Sequence, residues 1–121
     1  MEDHGESAHI SAADKLGVPG AAFYHCDITD INRETIDRFV QEIEPLADGN
    51  SQNLIIDFQK VDNIQPMGIR ALIGLQEEFK RSGKTGEVII VDPQDKVRES
   101  MEEAGLLDRF RIESITSQSS K

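Results

Sequence analysis

The chain has 121 residues, a length suited to one domain around one modest core. Its hydrophobic share of 37%, charged share of 30% and net charge of −10 describe an acidic globular protein. Nucleic acid and anionic membrane surfaces are disfavoured as partners, since both reward a basic face.

A single cysteine, Cys26, leaves no internal disulfide framework. No apolar run approaches the roughly 20 residues of a spanning helix, and the opening "MEDHGESAH" lacks the hydrophobic stretch of a signal peptide. A soluble cytoplasmic protein without direct membrane insertion is expected. No cofactor motif is present, and none is expected.

In chain order, residues 1–7 read as a loose arm. Two short strand-like pieces follow, near 8–13 and 20–26, with Gly17, Pro19 and Gly20 turning between them. The next stretch, "TDINRETIDRFVQEIEPLADGN", reads as a helix. Thr29, Asp30 and Asn32 are candidate caps, Ile36, Phe39, Val40 and Ile43 form one apolar stripe, and Pro45 and Gly49 stop it. "NLIIDF" is a short run apolar on both faces, the pattern of a buried strand. A second helix starts at Pro66, where a missing N–H costs nothing, and ends at Ser82 and Gly83. Ile69, Leu72, Ile73 and Phe79 form its buried side. "EVIIVD" is the next buried strand. Asp92 as cap, Pro93 at the first position and Gly105 past the end frame a third helix, with Val97, Met101 and Ala104 on a narrow apolar face. "FRIES" reads as a last strand, and 116–121 as a disordered polar tail.

The order β-β-α-β-α-β-α-β implies an α/β fold. Expected is a four- to five-stranded mixed sheet, its N-terminal pair added to a parallel core, with the helices mainly on one face. Helix starts are expected near Asn32, Pro66 and Asp92. The second helix then begins at the carboxyl end of a central strand, where open α/β sheets carry their sites.

No catalytic or metal constellation emerges. His25, Cys26 and Asp27 are adjacent, and neighbours in a strand point to opposite faces, so they neither share one ion nor converge as a nucleophile pair. The acidic clusters interleave with Arg and Lys at helical spacing, the pattern of a solvated helix face. The turn at Gly68 has one glycine and no lysine, so it is no phosphate loop. What remains is the turn "NIQPMGIRAL" itself. Pro66 and Gly68 can simply shape it, with Met67 packed. Alternatively Met67, where polar residues are the rule, is offered to a partner.

From "NLIIDF" to "GLLDRF" the chain resembles the STAS domain, the fold of bacterial anti-sigma factor antagonists. Asp57, Val61, Ile64, Gly68, Leu72, Gly83, Gly105 and Leu106 fall in step with the family phrase, and Asp27 stands in the place of the aspartate before the first helix. The resemblance covers about 8–115 and implies a non-enzymatic regulatory module that docks a protein. It also implies a phosphorylated Ser or Thr just before the glycine. That position is Met67, preceded by Pro66 and Gln65, so no phosphorylation site exists at the family position. Thr29, Thr85 and the tail hydroxyls are the remaining acceptors. The implied partner is an anti-sigma factor (switch) kinase or another signalling protein. Asp27, Ile28, Thr29, Gln65, Pro66, Met67, Gly68 and Arg70 are expected at the contact, with Met67 and Ile28 as exposed apolar anchors and Asp27 and Arg70 at the rim. A homodimer is compatible with the sequence. The alternative is an accessory STAS subunit of an ABC-type lipid transporter.

Overall fold

The computed structural model describes residues 12–115. The expected arm, the tail at 116–121 and most of the strand-like piece at 8–13 lie outside the described residues.

Residues 12–16 are helical (α1). The order continues β1 (Ala22–His25), β2 (Asp30–Ile31), α2 (Ile36–Ala47), β3 (Leu54–Asp57), β4 (Asn63–Ile64), α3 (Pro66–Arg81), β5 (Val88–Val91), α4 (Asp95–Glu103), a 3-10 turn at Leu106–Asp108 and β6 (Arg111–Glu113). Four strands form one sheet in the order β1-β3-β5-β6, with every pairing parallel. The strands thus advance across the sheet in chain order. Successive right-handed crossovers in one direction put α2, α3 and α4 on the same face. The expected mixed sheet had the N-terminal pair, near 8–13 and 20–26, joined to a parallel core, and its second member is β1, which pairs with β3 in parallel. Of the piece near 8–13 only residues 12 and 13 are described, and both are helical.

Alternation along the strands divides the core in two. Leu54, Ile56, Val88 and Ile90 join the larger cluster beneath α2, α3 and α4, with Phe39, Phe58, Leu72, Phe79 and Met101. Ile55, Ile89 and Val91 face the other way and pack with Ala13, Leu16 and Val18. Alanine and leucine at helical spacing let α1 cover this second face, which is why 12 and 13 are not strand. Each fully buried large apolar side chain contributes about 1.5–3 kcal/mol.

Two helix starts come later than expected. The Asn32 carboxamide oxygen accepts the Glu34 and Thr35 N–H groups at 2.8 and 3.1 Å, and the Thr35 hydroxyl accepts the Asn32 N–H at 2.9 Å. This closed turn uses up 32–35, so α2 opens at Ile36. Asp92 does not cap α4. It sits at φ 54°, and its N–H donates to the Glu113 carbonyl at 2.8 Å, tying β5 to β6. Gln94 is the residue before α4. Pro45, expected to stop α2, lies inside it. It removes a single ladder bond near the helix end, on the exposed side, while Ala47 beyond it is fully buried against the core.

Candidate functional site

The turn sits at the carboxyl end of the sheet, on the β2–β4 ladder and the first turn of α3. The Ile31 carbonyl accepts the Gln65 N–H at 2.9 Å, and the Thr29 carbonyl accepts the Asp62 N–H at 2.7 Å. Between them β2 pairs with β4 in parallel, Asp30 opposite Asn63 and Ile31 opposite Ile64. The Asn63 amide donates to the Asp30 carboxylate at 2.9 Å. Sequence reading missed this ladder, because two residues carry no periodicity. Ile31 and Ile64 are 0% and 4% exposed and form a floor under the first turn of α3.

Gly68 lies on that floor. A Cβ there would fall 2.6 Å from Ile64 Cγ1 and 2.8 Å from Ile31 Cγ2. The glycine is therefore needed for close approach, with the Gly68 N–H donating to the Gln65 carbonyl at 2.8 Å. Gln65 precedes α3 in extended conformation, Pro66 fills the first position, and no side chain caps the helix or places an acid in its first turn.

Around this frame Gln65, Pro66 and Arg70 are exposed and Met67 is half-buried. A shallow groove of about 340 Å³ adjoins them, lined by Pro66, Ile69 and Arg70 on α3 and by Ser100 and Glu103 on α4. Asp27 and Thr29 are exposed on the neighbouring loop. Ile28 corrects an expectation. It is 3% exposed and belongs to the main core, because the loop after β1 turns its side chain inward. Neither Ile28 nor Gly68 offers a side chain to a partner.

Asp27 is not a lone rim charge. Its carboxylate accepts Arg38 Nη2 at 2.6 Å, Arg38 Nε donates to Glu42 at 2.8 Å, and Glu42 accepts the Tyr24 hydroxyl at 2.7 Å. The Tyr24 and Arg38 bonds hold the Glu42 carboxyl below its usual range. Burial, then the bond to Glu42, pushes the Tyr24 phenol well up. Burial also pushes the Cys26 thiol up. Cys26 is fully buried, so it is a core residue rather than a reactive thiol.

A second pair also went unseen in the sequence. His25 and Asp57 end β1 and β3 directly opposite each other, and His25 Nδ1 lies 2.8 Å from Asp57 Oδ2. Asp57 Oδ1 accepts the Gln59 N–H at 2.9 Å. By strand alternation the pair lies on the α1 side of the sheet, away from α3. Both residues close an apolar run in aligned register, and that was the signal available. Among the described residues no group of three or more His, Cys, Asp and Glu side chains could hold a metal ion. No described helix is long and apolar enough to cross a membrane.

A family model described as STAS domain matches residues 13–118. Among solved structures, the chain is similar to one described as a candidate anti-sigma factor antagonist from Thermotoga maritima. The two are 14% identical over 88% of this chain and 94% of that one, with a TM-score of 0.66. At that identity the likeness concerns the fold. None of the curated proteins compared matches the chain.

Proposed function

From its membership of the STAS domain family, to which the chain belongs, we propose that this protein is a non-enzymatic regulatory module. It docks a signalling protein through the turn and helix start at 64–70, with an anti-sigma factor kinase as the first partner class. The observation that carries this reading is the pairing of a rigid support with an unsatisfied top. The β2–β4 ladder and buried Gly68 fix the turn, while Gln65, Pro66 and Arg70 stand exposed around a half-buried Met67 at an uncapped helix N-terminus. The N-cap position itself is held by Gln65, whose side chain makes no cap bond, so the N–H groups of the first turn are left without a side-chain acceptor.

In the family, a phosphate on the hydroxyl before the glycine adds about −1.5 to −2 charges and disrupts the docked interface. Met67 has no hydroxyl, so docking at this turn is constitutive with respect to that switch. Thioether flexibility suits Met67 to an irregular partner surface.

The test is a photo-crosslinking residue placed at Gln65 and, as control, at the exposed Thr85 beyond the far end of the same helix. In native cells the first position should join one protein covalently and the control should not. A kinase or related regulator supports the proposal, and a transporter ATPase supports the accessory-subunit alternative. Equal labelling from both positions, or none from either, contradicts docking at the turn.

A further inference from the structure

A second surface lies between α2 and α3. It is a groove of about 450 Å³ with an apolar floor of Phe39, Val40, Ile43 and Leu75. Its rim is acidic throughout: Glu44 and Asp48 from the end of α2, and Glu78 from α3. Glu78 already accepts Arg81 at 2.6 Å, whereas neither Glu44 nor Asp48 has an ion-pair partner among the described residues.

The position of these acids is unfavourable for the protein alone. They stand at the carboxyl end of a helix, the negative pole of its dipole, and the last turn of α2 has no basic residue. Beyond the helix end, the Lys84 ammonium donates to the Gly49 carbonyl and forms no ion pair with either acid.

Small residues open the α3 wall of the groove. Ala71 and Gly74 line it one turn apart. Gly74 is exposed in mid-helix, and a Cβ there would meet nothing within 4 Å. Its fold gives it no steric reason to be glycine, in contrast to Gly68, and glycine in a helix interior is destabilising relative to alanine. Close approach of another backbone supplies the missing reason.

We propose that the α2–α3 groove receives a basic amphipathic helix of a partner protein. Its apolar side lies on the half-buried Val40 and Ala71, above the buried Phe39, Ile43 and Leu75, its backbone crosses near Gly74, and its Lys or Arg residues meet Glu44 and Asp48. This is helix-in-groove recognition with charge setting the partner. It does not depend on docking at 64–70, because no residue of the turn lines the groove.

The test uses two designed helical peptides of about 14 residues, roughly 21 Å long, with one Leu stripe, one flanked by lysines and the other by glutamates. Each is titrated into the isotope-labelled full chain and followed by backbone amide shifts. The lysine peptide should give saturable, salt-sensitive shifts confined to α2 and α3, and the glutamate peptide should not. Glu44→Lys combined with Asp48→Lys should weaken the lysine peptide about tenfold or more. Gly74→Ala should raise the melting temperature and still weaken binding. Four results overturn the proposal: equal binding of the two peptides, shifts centred elsewhere, no saturable shift with either peptide, or Gly74→Ala binding as wild type. So does a concentration-dependent dimer that broadens these same resonances, which assigns the groove to a second copy of the chain.

Discussion

An added Cβ at Gly68 would lie 2.6 Å from Ile64 and 2.8 Å from Ile31, and both neighbours are β-branched and stiff at χ1. Gly68→Ala should therefore cost about 1–3 kcal/mol through overpacking, read as a lower midpoint in urea with an unchanged slope. An unchanged midpoint would mean that the ladder does not press on the turn. The glycine was visible in the sequence, but the reason for it was not, because Ile31 sits in a stretch that reads as helix. Glu42 gives a pH-dependent counterpart. Its folded pKa lies below the ordinary 4.5, chiefly through the Tyr24 hydroxyl. A depressed folded value means stability that is present above the unfolded pKa and lost as pH falls through the folded one. Glu42→Gln should flatten the loss of stability on acidification below about pH 4.5, modestly, since the group is partly exposed and screened. Thermal melts of both proteins across that range check this, and identical acid slopes would refute it.

Elements with a strong period were legible before their context. "NLIIDF" and "EVIIVD" became the central strands Leu54–Asp57 and Val88–Val91, and Pro66 opened its helix where the sequence put it. Errors came where side chains bonded locally instead of following the hydrophobic pattern. Asn32 and Thr35 lock a turn that delays α2, and Asp92 spends its backbone and carboxylate on the strand edge, accepting the Ile115 N–H at 3.0 Å. Such contacts are invisible to a periodicity search, which weighs only burial. The same bonds make a prediction. Asn32→Ala removes the acceptor for two N–H groups and should destabilise the protein by about 0.5–2 kcal/mol, with faster amide exchange concentrated at 33–36. Exchange rising uniformly across α2 and α3 would show instead that the turn has no local role.

At the scale of the whole molecule, one end of the sheet carries the candidate docking turn. Another surface, between α2 and α3, carries the acidic groove. The turn stood out from its residues alone, the family resemblance supplied the neighbouring contact residues, and exposure had to come from the structure, which kept Met67 half accessible and buried Ile28. Residues 65–68 hold no hydroxyl, so phosphopeptide mapping from native cells should find that segment unmodified. A stoichiometric, regulated phosphate on the exposed Thr29, beside the same ladder, would contradict constitutive docking. Docking itself is tested most directly by Met67→Asp, measured for both melting temperature and affinity for the partner crosslinked at Gln65. A carboxylate at a helix N-terminus is favoured by roughly 0.3–1 kcal/mol, so the melting temperature should hold or rise slightly. Burying that charge against the partner should cost about 2–5 kcal/mol of binding. A melting temperature lowered by many degrees, with the folded fraction still binding at wild-type affinity, would contradict the proposal and make Met67 a packing residue of an ordinary turn.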